Sequence, residues 1–253
     1  MKKIGSITSV KPNQRILART LKSILNYQND LDFVYVNLCD SALRGDHLSF
    51  HNKELSEELF NIINENNNFL KLIWCKDLGP YTKLLPTLSK HKNEDCIIIT
   101  FDDDTIYHPN LISNYISEFN KKPGILTARG FTLDISKGWK NVDYRIRVEP
   151  KNNDCVHNFH TGKGTVLYSP LLFKEIESIF NSDVYMKLCP TNDDTWFNFF
   201  RINQKIPCRL VHSLPYSVAD LTNHNCALQT INCANASRVN NQQIQNCVKY
   251  FNL

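Results

Sequence analysis

No stretch of the chain approaches the roughly 18 consecutive apolar residues that cross a bilayer, and Met1 to Ser6 lack the apolar core of a signal peptide. The expectation is a protein that stays in the compartment where it is made, with no transmembrane segment. No block of Lys and Arg stands out either. The 29 basic and 25 acidic residues are spread along 253 positions for a formal charge of +4, which argues against a nucleic-acid-binding arm. Internal repeats, low-complexity tracts and linkers are absent, so one large α/β domain is the default. C-x-x-C is missing, and nine scattered cysteines, several inside apolar runs, read as reduced, buried thiols of a cytoplasmic protein. His157 and His160 have metal-ligand spacing but no partner cluster, which gives zinc little support.

What the chain does have is alternation. Lys3–Ser9 reads as a short strand closed by Lys11-Pro12-Asn13, after which Leu17, Leu21, Ile24 and Leu25 recur at helical spacing. Phe33–Cys39 is nearly apolar on both faces, as for a parallel strand covered by helices. Leu55, Leu59, Ile62 and Ile63 mark a second helix and Leu70–Cys75 a third strand. Gly79-Pro80 turns into a helix through Leu84, Leu85 and Leu88, and Ile97–Phe101 is the fourth strand. This order predicts a mostly parallel central sheet flanked by helices. Ligands of such sheets bind outside the carboxyl ends of the strands, where Thr8, Ser9, Asp40, Asp77 and Asp102 to Asp104 fall.

The later chain is less regular. Asn110–Asn120 reads as a helix, Gly124–Arg129 as a strand and Trp139–Asp154 as a polar excursion. His160–Tyr168 reads as a glycine-rich turn into a strand, Leu172–Ile179 as a helix, Asn192–Gln204 as another, and Cys208–Ser213 as a strand containing His212. A last helix carries Ile244, Cys247, Val248 and Phe251 on one face, and the polar Ser217–Ser237 segment is expected to lie over the site as a lid.

Three adjacent carboxylates at a strand end repel one another unless a cation or buried donors offset them. Asp102 and Asp104 project to one side of an extended chain, which suits a divalent ion shared with ligand phosphates, Mn²⁺ or Mg²⁺ by preference for oxygen. The competing account is a turn in which an Asp caps the backbone of Thr105 and Ile106.

The run Ile99-Thr100-Phe101-Asp102-Asp103-Asp104, followed by Tyr107-His108-Pro109, resembles the metal motif of nucleotide-sugar glycosyltransferases with the A-type (GT-A) fold. Other segments are similar, in order, to family 2-like bacterial and viral enzymes. They are Ile7-Thr8-Ser9 with Arg15, Lys76–Pro86, Gly162–Tyr168 and Asn192-Asp193-Asp194-Thr195-Trp196, so the likeness spans residues 4 to about 213. The resemblance implies a Rossmann-like single domain, with residues 1–109 binding a nucleotide, 110–230 an acceptor, and 231–253 forming a C-terminal helix. It implies transfer of a sugar from a nucleoside-diphosphate sugar, UDP-linked, to a hydroxyl of a glycan, with inversion. Asp102 and Asp104 would hold the metal, with His212 completing the site or contacting a phosphate. Thr8, Ser9 and Asp40 would surround base and ribose, Arg15 would lie where the chain meets the nucleotide, and Asp77, Lys83 and Asp103 would complete the nucleotide side. Asp193 or Asp194 would be the base, Asn192 standing where the family usually has Glu. Trp196, Tyr107 and Phe159 are candidates for stacking on an acceptor sugar, against core filling.

Two other functions remain in play. A nucleotidyltransferase of sugar phosphates also places Asp at strand ends, but is expected to carry a glycine-rich basic loop after the first strand, and Ser9-Val10-Lys11-Pro12-Asn13 is not one. A non-catalytic sugar-binding protein of the same fold is the other, against which the intact acids at both sites argue.

Overall fold

The apolar runs become strands, wholly buried in the middle of the sheet and half-buried towards its edge. Strand β1 (Lys2–Thr8), helix α1 (Gln14–Tyr27), β2 (Phe33–Leu38), α2 (Glu57–Glu65), β3 (Leu70–Trp74), α3 (Leu85–His91) and β4 (Cys96–Phe101) follow the expected alternation. After them come β5 (Thr105–Tyr107), α4 (Leu111–Lys121), β6 (Ile125–Thr127), β7 (Gly130–Leu133), β8 (Arg147–Val148), β9 (Asp154–Cys155), β10 (Asn158–His160) and β11 (Val166–Tyr168). The chain closes with α5 (Ser182–Leu188), α6 (Asp193–Asn203), β12 (Cys208–Leu210), β13 (Ser217–Asp220), α7 (Gln229–Asn232) and α8 (Ala234–Tyr250). This is a computed structural model, and it describes residues 1–149, 154–211, 216–222, 229–232 and 234–253.

An eight-stranded sheet in the order β3-β2-β1-β4-β11-β6-β12-β9 organises the domain. β1 pairs in parallel with β2 and β4, and β2 with β3; beyond them β11 runs antiparallel to both β4 and β6, while β12 returns parallel to β6. β4 therefore lies in the middle of the sheet. Each of its six residues is buried, and the period of two sends Ile98 into one apolar cluster and Ile97, Ile99 and Phe101 into the other. Burying one such side chain contributes about 1.5–3 kcal/mol, so the strand that ends in the acids is among the most firmly held.

The second half departs from the sequence reading in two places. The helix expected over Leu172–Ile179 is instead two 3-10 turns, Pro170–Leu172 and Ile176–Phe180, because Phe173 between them is extended (φ −88°, ψ 120°). The true helix follows as α5, which no strong apolar period announced. Within the polar excursion 139–154, a 3-10 turn at Trp139–Asn141 precedes β8, which pairs with β7, and β9 pairs with β12. Ile244, Cys247 and Val248 of α8 are buried, as their spacing predicts, against a cluster that includes Trp196 of α6. Among the described residues no helix is long and apolar enough to cross a membrane.

Candidate functional site

The carboxyl ends of β1, β2 and β4 open on a cavity of about 570 Å³, closed on the far side by the Thr161–Lys163 turn and the start of α6. Seven Asp and five basic side chains line it: Asp77, Asp102, Asp103, Asp104, Asp193, Asp194 and Asp220, with Arg44, Lys83, Arg129, Arg147 and Lys163.

The acid turn after β4 is built by its neighbours. The Asp102 N–H donates to the Tyr107 hydroxyl at 2.6 Å, so the tyrosine of the Tyr-His-Pro segment braces the turn from the core. Asp103 points back to the first loop, where its Oδ2 accepts from the Ser9 hydroxyl and from Asn13 Nδ2 (3.1 Å). Its C=O accepts from Thr20 Oγ1 at 2.7 Å. Burial pushes the Asp103 carboxyl up to about 7; the Ser9 bond pulls it down and Asp104 pushes it up again. Asp104 is also raised, by burial first and then by Asp102, with relief from the Thr222 hydroxyl. Its C=O accepts from Leu221 N–H at 2.6 Å, and β13 pairs with β5 beside it. The described part of the expected lid thus borders the acid turn.

Lys83 is the centre of the cavity. Its ammonium donates to Asp102 Oδ1 at 2.8 Å, with side-chain exposures of 14% and 23%. Burial alone lowers its pKa, but Asp102, Asp193 and Asp194 together overcome this and raise it, so the lysine stays charged. Gly162 makes room for it, since a Cβ there would sit 2.6 Å from Lys83 Nζ.

Helix α6 brings the second acid pair. Asn192 is its N-cap, with Oδ1 accepting from Thr195 N–H at 3.0 Å and Nδ2 donating to Asn240 Oδ1 at 2.7 Å, a satisfied cap where a Glu would carry charge. Asp193 and Asp194 occupy the first turn, where the helix dipole favours anions. Asp194 Oδ1 accepts from Gly162 N–H at 2.8 Å. Burial raises both carboxyl groups, Lys83 being the main opposing influence.

Of the residues singled out by sequence, Thr8, Ser9, Asp77, Lys83, Asp102, Asp103, Asp104, Asp193 and Asp194 line the cavity. Some of them face it while bonded elsewhere. Thr8 Oγ1 donates to Asn37 C=O at 2.8 Å, and Asp77 accepts from Leu43 N–H and Gly79 N–H, both at 2.7 Å. Arg15 and Asp40 are exposed and outside the cavity wall: Arg15 lies in the first turn of α1, directed to solvent. His212 lies outside the described residues. Trp196, Tyr107 and Phe159 are buried in the core at 1%, 0% and 0% exposure, so their apolar packing replaces the expected stacking role. His157 sits edge-on to Trp139, and His160 is fully buried with neither ring nitrogen partnered among the described residues, held neutral by burial and then by Arg201.

Sequence reasoning missed three cations that residues after 110 bring to the cavity. Arg129 donates to Thr161 Oγ1 at 2.9 Å; Arg147 lies over the rings of Phe131 and Tyr144, at 4.7 and 5.2 Å from the centroids; Lys163 pairs with Asp220. Lys163 is marked locally by its flanking glycines, and Gly164 is needed where Arg129 packs, since a Cβ there would meet Arg129 Cβ at 2.2 Å.

Among the described residues, no three His, Cys, Asp or Glu side chains converge as a ready metal cage. Asp103 is committed to Ser9 and Asn13 and Asp102 Oδ1 to Lys83, which leaves Asp104 and the second Asp102 oxygen. Two carboxylates on one turn fit a Mg²⁺ or Mn²⁺ ion whose remaining positions are filled by phosphate and water.

No protein-family profile matches the chain, and no curated protein matches it in sequence. Solved structures do match in fold. The 4-diphosphocytidyl-2C-methyl-D-erythritol synthase of Anaerococcus prevotii superposes with a TM-score of 0.53 at 12% identity, over 88% of this chain and 94% of that one. A CMP:2-keto-3-deoxy-manno-octonic acid synthetase complexed with CTP (TM-score 0.48, 10% identity, 92% and 98% covered) is also similar. So is an inositol-1-phosphate CTP transferase from T. maritima (TM-score 0.46, 10% identity, 93% and 97% covered). The expectation of sugar transfer from a nucleoside-diphosphate sugar to a glycan is corrected by the Anaerococcus neighbour, which is named a diphosphocytidyl synthase and not a glycosyltransferase. The chain shares the Rossmann-like α/β fold of the Anaerococcus synthase.

Proposed function

We propose that the chain is a nucleotidyltransferase, joining the nucleoside monophosphate part of a triphosphate such as CTP to a phosphorylated small polyol or sugar. The observation that carries this reading is Lys83, kept charged between the acids at the end of β4 and those at the start of α6, in a cavity of about 570 Å³. That volume lies in the roughly 300–1,000 Å³ range of small-molecule sites. In the proposed reaction an acceptor phosphate oxygen attacks the α-phosphorus, the bond from that phosphorus to the bridging α–β oxygen breaks, and pyrophosphate leaves with the electron pair.

A phosphate monoester has its second pKa near about 6 and is already anionic at neutral pH, so the nucleophile needs no general base. Asp193 and Asp194 then hold Lys83 in place instead of taking a proton. Lys83 meets charge that develops at the phosphates, and Arg129, Arg147 and Lys163 attract the acceptor phosphate. These cations stand in for the glycine-rich basic loop missing after β1, where Ser9 and Asn13 are spent on Asp103. Residues 1–109 would carry the nucleotide and 110–230 the acceptor. A Mg²⁺ or Mn²⁺ ion on Asp102 and Asp104 would offset the charge of the phosphates and of leaving pyrophosphate. The described cysteines are free thiols, which suits a reducing, cytoplasmic setting.

A thermal-shift comparison of CTP, UTP, ATP and GTP with Mg²⁺ tests the reading, since a ligand of the native state raises its melting temperature. Stabilisation by a nucleoside triphosphate, strengthened by Mg²⁺, is the expected result; no shift with any of the four contradicts it.

A further inference from the structure

Cys39 and Cys75 follow the last residues of the adjacent parallel strands β2 and β3, whose register pairs Leu38 with Trp74. The Cys75 N–H donates to Leu38 C=O at 3.0 Å, so the ladder continues and sets the two cysteines side by side. Their Sγ atoms are 3.9 Å apart. Neighbouring positions on paired strands fall within the roughly 4.4–6.8 Å Cα separation that a disulfide spans. Cys75 is half-buried, which gives an oxidant access, and Cys39 lines the cavity.

We propose that Cys39 and Cys75 form an oxidisable dithiol in the wall of the cavity, and that their disulfide reshapes its nucleotide side. With hydrogen peroxide as oxidant, the Cys75 thiolate attacks one peroxide oxygen, the O–O bond breaks, and hydroxide leaves and takes up a proton as water. The Cys75 sulfenic acid is then attacked by the Cys39 sulfur, which gives up its proton; the S–O bond breaks and a second water leaves. Two thiols are oxidised and one peroxide is reduced.

Cys75 is the better first nucleophile. The bond from Cys39 lowers its pKa, against burial and the nearby Asp77 and Asp40, while the same pairing and burial raise that of Cys39. The consequence for the wall follows from what hangs on these strand ends. Cys39 C=O accepts from Phe50 N–H at 2.9 Å, and Asp77 ties Leu43 to Gly79, so drawing the sulfurs together pulls on both loops. Proximity alone is not the claim: Cys189 and Cys247 are closer, at 3.3 Å, but both are fully buried.

The test treats the whole chain with hydrogen peroxide, maps its peptides without reduction, and measures the affinity for CTP with Mg²⁺ before oxidation, after it, and after dithiothreitol. The affinity arm rests on the nucleotide reading above; the mapping arm does not. The expected result is a Cys39–Cys75 cross-link with Cys189 and Cys247 still reduced. Affinity should be weakened about tenfold or more, as for displaced positioning groups, and restored by dithiothreitol. Cys75→Ser should bind CTP equally well with and without peroxide. Cys39 and Cys75 left reduced, or oxidised separately to sulfinic acids, would overturn the dithiol; a cross-link with unchanged affinity would overturn the reshaping. Failure of the reduced protein to bind CTP would count against the nucleotide reading, with the mapping still deciding the dithiol.

Discussion

The acids after β4 and the acids opening α6 look alike in sequence and differ in what they touch. The first group is divided: Asp102 pairs with Lys83, Asp103 reaches back to Ser9 and Asn13, and Asp104 borders Asp220 and Thr222. The second group acts together, both acids lying at a helix N-terminus and both facing Lys83. The difference teaches that a carboxylate's role is set by its partner. One lysine joins the two acid groups.

Removing that lysine should have the largest effect. Lys83→Met leaves Asp102, Asp193 and Asp194 without their cation, and stripping one partner from a buried charge cluster costs about 3–5 kcal/mol. Urea unfolding at pH 8 should show the loss, and lowering the pH should recover part of it as the acids protonate. Next, the first group should split on substitution. Asp103→Ala removes the acceptor of the Ser9 and Asn13 bonds and should destabilise by about 1–3 kcal/mol, whereas Asp104→Ala should leave the denaturation midpoint near wild type and lose metal-dependent turnover.

The pH dependence of the ligand-free protein sharpens the same contrast. Asp103 is raised to about 7, so the folded state holds this proton more tightly than the unfolded one. Its contribution to stability is complete below the ordinary Asp pKa of about 4 and is lost as the pH rises through about 7. The melting temperature should therefore fall between about pH 4 and 7 and level off above, by about 2–4 °C for each kcal/mol lost, and Asp103→Asn should flatten the fall. Smallest of all, Thr8→Val removes one hydrogen bond to Asn37 C=O and should cost about 1 kcal/mol by the same unfolding measurement.

The parallel half of the fold was legible because its strands are buried on both faces and its helices carry a regular apolar stripe. Ile97–Ile99 and Leu17, Leu21 and Ile24 are wholly buried where their spacing puts them. The stretch from 130 to 180 was less so. β7, β8, β9 and β10 have two to four residues each, too short to show a period, and α5 is seven residues long behind two 3-10 turns. The site was legible in its acids, which cluster along the chain, and in Lys83, and illegible in its arginines. Arg129 and Arg147 are brought to the cavity by tertiary contacts with Thr161, Phe131 and Tyr144 that leave no local mark. Asn192 shows the opposite case: read as a departure from a family pattern, it is a helix cap with both amide atoms bonded.

The most direct measurement of the central claim is pyrophosphate release from nucleoside triphosphates, assayed with Mg²⁺ across a panel of sugar and polyol phosphates. The account predicts release that requires both the triphosphate and a phosphorylated acceptor and that is lost in Lys83→Met variants selected to remain folded at the assay pH. No pyrophosphate from any pair, with transfer instead from a nucleoside-diphosphate sugar to an unphosphorylated hydroxyl, would contradict it.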